Sequence, residues 1–227
     1  MKNKGFTLIE LAMVLFVAGL LLGGLLMPLS EQIESRKIAN TANLLHSIEN
    51  AITNFAIING RLPCPSTETS STIPGYGMEN CSVNGGFLPF KAMQINNDRD
   101  EWDQRIRYFV DTNYVQNISL YNPSLDGDGN VIIDINGNVE YFKNNYNIVD
   151  PAGRSLTMNY PSPAGVIGEY PVIIIYSVGR NNIPDGENAT ADNIFQGGQS
   201  SVTFDDITVW LLRPELFNAL VKKGALP

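Results

Sequence analysis

The chain has 227 residues, of which 44% are hydrophobic, and its formal net charge is −8. This length allows one globular domain of ordinary size beside a separate helix. The acidic balance and the lack of a basic cluster argue against nucleic acid as a general partner, because contacts to phosphate require a high local density of Lys and Arg.

The first distinctive segment is an apolar stretch near the N-terminus. Glu10 precedes a run from Leu11 to Leu29 that contains no charged residue. At ~1.5 Å per residue this run would reach ~28 Å as a helix, close to the ~30 Å hydrocarbon core of a bilayer. Lys2 and Lys4 lie ahead of it, so the positive-inside rule places the N-terminus in the cytoplasm and the rest of the chain outside.

An ordinary secretory signal is the alternative interpretation of this segment. Such signals have a shorter apolar core that ends at a small-residue cleavage site, whereas this run ends in Met27-Pro28-Leu29-Ser30. A carboxylate such as Glu10 at the start of an apolar helix is also costly unless something pairs with it. The sequence therefore favours a retained transmembrane segment at about 8–29.

The first ten residues resemble the signature of the type IV pilin and pseudopilin family. Met1–Gly5 matches its short basic leader ending in Gly, and Phe6–Glu10 matches its Phe-Thr-Leu-Ile-Glu residue for residue. The resemblance implies that a prepilin peptidase cleaves between Gly5 and Phe6 and methylates the new amine of Phe6. It also implies a single-pass inner-membrane protein with a periplasmic head, which is later assembled with other pilin or pseudopilin subunits through its N-terminal helix.

The resemblance assigns a role in assembly to Glu10. In a filament of this family the acid neutralises the N-terminal amine of a neighbouring subunit, which removes two unpaired charges from an apolar filament core. The alternative is an acid that merely interacts favourably with the helix dipole.

Helical spacing of apolar residues continues beyond the membrane segment. Asn59-Gly60 is a helix stop, because Gly60 can adopt a left-handed conformation and Pro63 prevents continuation. The predicted organisation is a leader at 1–5, a long helix at 6–59 and a periplasmic or extracellular head at 60–227. The predicted buried stripe of the helix comprises Ile38, Ala42, Leu45, Ile48, Ile52 and Phe55.

Both cysteines, Cys64 and Cys81, follow the membrane segment. In an oxidising compartment two such thiols most often form a disulfide, here within the long loop of 61–90. Free thiols are the alternative. A metal site is disfavoured because two Cys and the distant His46 do not supply four ligands.

The segment from Asp100 to Val110 resembles the Asp-x-Trp-Gly…Tyr signature of secretion pseudopilins and minor pilins, with Gln104 in the place of the usual Gly. It predicts a turn that leads into a strand at 106–110, with Trp102 as a packing anchor. No catalytic set can be assembled from its acids and arginines.

Further strands are predicted downstream. Asn136-Gly137 between two β-rich runs predicts a hairpin over 131–142. The preceding turn at 126–130 has alternating acids that suggest calcium, but the positions of Val131 and Gly137 favour a solvated turn. The uninterrupted apolar run at 172–178 predicts a central strand that is buried on both faces. The fold class is therefore α+β, a long helix packed on an antiparallel sheet.

The two segments that follow resemble the family's Ser-x-Gly-x-Asn/Asp loop and its terminal Asp-Ile…Trp strand. The resemblance implies a calcium site whose candidate ligands are all hard oxygen donors, namely Ser177, Asn181, Asp205 and Asp206. A hydrogen-bonded loop without an ion is the alternative, because Arg180 and Asn182 replace a more acidic sequence. A short capped helix, starting at Pro214 and followed by Gly224, is predicted to end the chain.

The function indicated by these residues is that of a minor type IV pilin or pseudopilin, a structural subunit and not an enzyme. The head is large beside those of major subunits in the resembling family, which favours a minor role. One alternative is a membrane-anchored binding or adhesion module that does not polymerise. An exported hydrolase is disfavoured, because the only histidine, His46, lies in the predicted helix and leaves none for the head.

Overall fold

The computed structural model describes five segments of the chain: 7–115, 147–149, 171–190, 194–201 and 203–224. Their side chains are described except at 21–29, 113, 147–149 and 214. The predicted hairpin over 131–142 and the acidic turn at 126–130 lie outside the described residues.

The first helix, α1, spans Leu8–Asn59. It ends where Gly60 adopts a φ of 67°, in the left-handed region that favours glycine. The amide of Gly60 donates to the carbonyl of Ala56 at 2.9 Å, which satisfies a carbonyl in the last turn. The predicted helix stop at Asn59-Gly60 is confirmed.

The chain divides into two compact units, residues 1–40 and residues 41–227. In the first unit, large apolar side chains of α1 such as Leu8 and Phe16 are exposed in the single chain. Across the residues that the structure describes, no helix is long and apolar enough to cross a membrane. The predicted span at about 8–29 includes 21–29, whose side chains lie outside the described set.

In the second unit, α1 contributes one buried stripe to the core. Leu45, Ile48, Ile52 and Ala56 are at most 1% exposed, and their spacing of three and four residues places them on one helix face. The prediction that Phe55 ends this stripe is wrong. Ala56, four residues after Ile52, occupies the buried position instead. The Phe55 ring is half-buried, and the guanidinium carbon of Arg61 lies 5.2 Å from its centroid.

Six strands are present among the described residues, numbered in chain order: β1 Gly85–Phe87, β2 Arg107–Val110, β3 Asn147–Val149, β4 Pro171–Ser177, β5 Ile194–Gln196 and β6 Ile207–Leu212. Four of them form an antiparallel sheet in the order β1-β2-β4-β6. The other two, β3 and β5, pair in parallel. The α+β prediction is confirmed at the level of an N-terminal helix and a four-stranded antiparallel sheet.

Strand β4 is the centre of the sheet, and all seven of its residues are buried. Side chains along a strand alternate between its faces. Ile173 and Ile175 therefore join the core cluster that contains the buried stripe of α1. Ile174 and Tyr176 point to the opposite face, where they cluster with Phe195 of β5. The prediction of a central strand buried on both faces is confirmed.

A disulfide joins Cys64 and Cys81. Glu79 ties the same loop to the end of α1, because its two carboxylate oxygens accept from Arg61 at 2.7 and 2.8 Å and Oε1 also accepts from the amide of Cys64 at 2.7 Å. Burial alone would raise the pKa of Glu79, but these hydrogen bonds lower it overall. The disulfide and this ion pair therefore constrain the same loop together.

The second helix, α2, spans Arg213–Lys222 and follows β6 directly. The carboxylate of Glu215 caps it by accepting from the amide of Leu212 at 2.9 Å. Its apolar residues Leu216, Phe217 and Leu220 are buried in the main core cluster. The predicted C-terminal helix is confirmed.

The core contribution of α1 can be measured by truncating one buried side chain. We expect Ile52→Ala to lower the free energy of unfolding by about 2–5 kcal/mol, because it removes a fully buried side chain and leaves a cavity. Asn43→Ala is the control, since Asn43 is exposed on the same helix. Urea unfolding of the purified chain measures both variants, and equal midpoints would contradict the role given to this stripe.

Candidate functional site

The start of α1 is organised around Thr7 and Glu10. The backbone amide and the hydroxyl of Thr7 both donate to Glu10 Oε2 at 2.9 Å, and the amide of Glu10 donates to Thr7 Oγ1 at 3.3 Å. This is a reciprocal capping box, in which two side chains satisfy amides that the first helical turn leaves unpaired. The predicted processing residues Gly5 and Phe6 lie outside the described residues. Glu10 is thus held at the helix start, three residues after its capping partner.

A second candidate site lies between the loop after β4 and the loop before β6. One carboxylate oxygen from each of Asp185, Asp205 and Asp206 lies within 4.8 Å of the other two. The loops are neighbours because β4 and β6 pair in antiparallel fashion, which sets Ser177 beside Ile207. We call these three aspartates the carboxylate cluster.

Hydrogen bonds hold the carboxylate cluster in place. Asp206 Oδ2 accepts from the amide of Asp185 at 3.0 Å and from Asn188 Nδ2 at 2.8 Å. Asp185 Oδ2 accepts from the amide of Asp205 at 2.9 Å, and Asp205 Oδ2 accepts from the amide of Asn181 at 3.0 Å. Each carboxylate is therefore fixed by backbone groups of the facing loop.

Two oxygens of the cluster have unused hydrogen-bonding capacity. Oδ1 of Asp205 and Oδ1 of Asp206 are buried, and neither has a hydrogen-bond partner among the described residues. Asp206 is only 1% exposed, and its burial, reinforced by Asp185 and Asp205, raises its pKa to about 6 against the hydrogen bonds that it accepts. Burial is also the main reason why the pKa of Asp205 is raised. A hard cation would stabilise the charged form of both groups.

The structure brings together only part of the predicted calcium ligand set. Asp205 and Asp206 lie in the cluster, whereas the Ser177 side chain bonds to a carboxylate outside it and the Asn181 amide bonds to its third member. Ser177 Oγ donates to Asp100 Oδ2 at 2.6 Å. Asn181 Nδ2 donates to both carboxylate oxygens of Asp185, at 2.9 and 3.0 Å, and so acts as a partner of the cluster.

Asp185 is the cluster member that sequence reasoning missed. It lies four residues beyond Asn181 in a loop that contains Pro184 and Gly186, and no motif singles it out. The one available signal was chemical, since Asp185 is the acidic residue nearest to the predicted ligand Asn181 in the loop after β4.

Comparison with known families concerns the N-terminus alone. Residues 1–26 match the family model of the prokaryotic N-terminal methylation motif. The chain carries the type IV pilin and pseudopilin signature. No curated protein and no solved structure was found to match the chain.

This pilin signature includes the leader, Thr7 and Glu10, so it coincides with the capping box at the start of α1. It implies processing by a prepilin peptidase and assembly with other pilin subunits, and the proteins that carry it are structural. The match ends at residue 26, so the carboxylate cluster is supported by its own geometry only.

The turn that contains Trp102 is built on Asp100. Asp100 Oδ1 accepts from the amides of Trp102 and Gln104 at 2.9 and 2.8 Å. The prediction that Gln104 replaces the signature's Gly is wrong, because the left-handed residue is Asp103, with a φ of 62°. The backbone that favours glycine thus lies one residue earlier, directly after Trp102.

The raised pKa of Asp206 predicts a pH dependence of the metal-free protein. A carboxyl group whose pKa rises from 3.8 unfolded to about 6 folded stabilises the fold fully below pH ~3.8 and loses that contribution as the pH rises through about 6. Between pH 4 and 7, in the presence of a chelator, we expect this group to contribute a loss of roughly 1–3 kcal/mol. Thermal unfolding measures the slope, and Asp206→Asn should flatten it. An unchanged slope in that variant would contradict the assignment.

Proposed function

We propose that this chain is a minor type IV pilin or pseudopilin, a structural subunit of a surface pilus or of a secretion pseudopilus. The observation that carries the proposal is the methylation motif at 1–26 with Glu10 in its capping box. The long α1 and the four-stranded antiparallel sheet agree with a pilin-like subunit. The size of the head predicted for 60–227 favours a minor subunit over a major one.

Maturation would proceed in the inner membrane. Prepilin peptidase cleaves after Gly5 and methylates Phe6, while the apolar segment at about 8–29 anchors the subunit and the head lies in the periplasm. The disulfide between Cys64 and Cys81 is consistent with an oxidising compartment for the head.

Assembly would then use the N-terminal helix as the contact between subunits. Both hydrogen bonds from Thr7 go to Oε2 of Glu10, and a carboxylate can accept further hydrogen bonds at its other oxygen. The amine of a neighbouring subunit supplies a positive charge at that position. Pairing removes two costly charges from an apolar environment at once, so it favours one stagger between helices.

The first test is the mass and N-terminal sequence of the chain recovered from membranes of a host that has a prepilin peptidase. We expect a chain that begins at Phe6 and is heavier by one methyl group. An intact Met1 would favour a membrane-anchored binding or adhesion module that does not polymerise. A start beyond Leu29 would identify an ordinary secreted protein and contradict the role of Glu10.

The second test separates processing from assembly. Glu10→Ala should leave cleavage after Gly5 largely intact and strongly reduce incorporation into filaments, because the neighbour's amine loses its partner. Glu31→Ala is the control, since Glu31 is an exposed acid of α1 outside the methylation motif. Cleavage and the filament fraction are measured by immunoblotting, and normal incorporation of Glu10→Ala would refute the pairing role.

We further propose that the carboxylate cluster binds Ca²⁺. The predicted ligands Asp205 and Asp206 would be joined by Asp185, and the unsatisfied buried oxygens of Asp205 and Asp206 support the assignment. Three carboxylates provide the hard oxygen donors that calcium prefers, and backbone carbonyls or water can complete such a shell. Ser177 and Asn181 would support the cluster through their hydrogen bonds.

Calcium binding should raise the thermal stability of the full chain. At a hundredfold excess of Ca²⁺ over its Kd the gain is about 2.7 kcal/mol, because the ion binds the folded state alone. A chelator should therefore lower Tm by several degrees. Asp206→Asn should abolish the difference, while Glu187→Gln, at a half-buried acid of the same loop, should retain it. An unchanged Tm on chelation of the wild-type chain would exclude the site.

A further inference from the structure

The hydroxyl of Ser177 links the turn at 100–104 to the loop that follows β4. Ser177 is the last residue of β4, it is fully buried, and the sequence made it a candidate calcium ligand. Instead the hydroxyl donates to Asp100 Oδ2 at 2.6 Å and accepts from the amide of Gly179 at 3.1 Å. Both hydrogen-bonding roles of the hydroxyl are thus already used within the protein.

Gly179 places this link beside the carboxylate cluster. Its φ of 64° lies in the left-handed region, and a Cβ at this position would come within 2.7 Å of Asp205 Cγ and 2.8 Å of Asp205 Oδ1. The Oδ1 atom is one of the two buried oxygens without a hydrogen-bond partner among the described residues. The backbone that Ser177 fixes therefore packs directly against the Asp205 carboxylate, at a buried oxygen that has no hydrogen-bond partner among the described residues.

Asp100 joins the Ser177 hydroxyl to the turn near α1. Besides the Ser177 hydroxyl, its carboxylate accepts from the amides of Trp102 and Gln104. Glu101 directly follows Asp100 in this turn, and its backbone amide donates to the hydroxyl of the buried Thr41 of α1 at 3.4 Å. A chain of hydrogen bonds thus leads from Gly179 through Ser177 and Asp100 to the turn that contacts α1.

We propose that Ser177 and Asp100 are positioning residues that hold the carboxylate cluster ready for Ca²⁺ and transmit ion binding to the turn at 100–104. This inference rests on the proposed ion site and assigns to Ser177 a role other than ligand. When the ion fixes Asp205, the Gly179 backbone is restrained, and the restraint passes through the Ser177 hydroxyl to the Asp100 carboxylate. Loading of the cluster then stabilises the segment of the head that contacts α1.

A double-mutant cycle tests the proposal on the full chain in detergent. Calorimetric titration with Ca²⁺, after removal of bound metal, gives the Kd of the wild type, Ser177→Ala, Asp100→Asn and the double variant. We expect each single variant to weaken binding about tenfold, as supporting residues of metal sites typically do. The double variant should be no weaker than either, because both changes break the same link. Asp103→Asn, which removes a charge from the exposed side of the same turn, is the control.

Hydrogen exchange adds a measurement that a merely structural role would not affect. Ca²⁺ should slow exchange of the Trp102 and Gln104 amides in the wild type and leave it unchanged in Asp100→Asn. Circular dichroism in chelator checks that each variant folds. If Ser177→Ala fails to fold, Asp100→Asn decides alone, since its Oδ1 can still accept from both turn amides while its Nδ2 can no longer accept from the Ser177 hydroxyl.

The outcomes separate this inference from the proposals on which it rests. Weaker binding in Ser177→Ala with wild-type binding in Asp100→Asn would make Ser177 a ligand and overturn the positioning role. Wild-type affinity in both variants would also overturn it. A wild-type chain that binds no Ca²⁺ would remove the ion site together with this inference. The proposed role as a pilin would still be tested separately, by cleavage after Gly5 and by the incorporation of Glu10→Ala into filaments.

Discussion

The structure of the head depends on the burial of β4 on both faces. An apolar strand of seven residues can be buried completely only if one face meets a helix or sheet and the other meets a second layer. Alternation directs Ile173 and Ile175 to the cluster shared with α1, and Ile174 and Tyr176 to an aromatic cluster with Phe195. The neighbours β2 and β6 are then fixed by backbone pairing, which leaves the polar loops at the strand ends.

The carboxylate cluster is a consequence of that pairing. Where β4 ends and β6 begins, the backbone leaves the sheet but remains within the protein, so its amides need partners other than a strand. Side chains of Asp185, Asp205 and Asp206 satisfy several of these amides. Burial, reinforced by the neighbouring carboxylates, raises the cost of charging Asp205 and Asp206, which a bound cation would offset. The same groups can therefore stabilise the loops and form a binding site.

The capping box at the start of α1 is formed within one helical turn. Thr7 and Glu10 interact across three residues of one helix, so the geometry depends on the helix alone. This locality fits a segment that would leave the membrane and pack against other subunits, because the carboxylate keeps its position in either environment. The chemistry proposed for assembly and the chemistry proposed for the head thus belong to the two units separately.

What the sequence determined by itself was local: the methylation motif, the helix stop at Gly60 and the apolar run of β4. Each depends on residues within one element, where spacing and backbone preference suffice. Only the tertiary structure decided which polar residues meet. Ser177 and Asp100 are 77 residues apart in the chain, and Asp185 joins the cluster because antiparallel pairing of β4 and β6 brings two loops together. When a polar side chain has two chemically suitable partners in the sequence, it hydrogen-bonds to the one that lies within reach. Only the packed fold sets those distances.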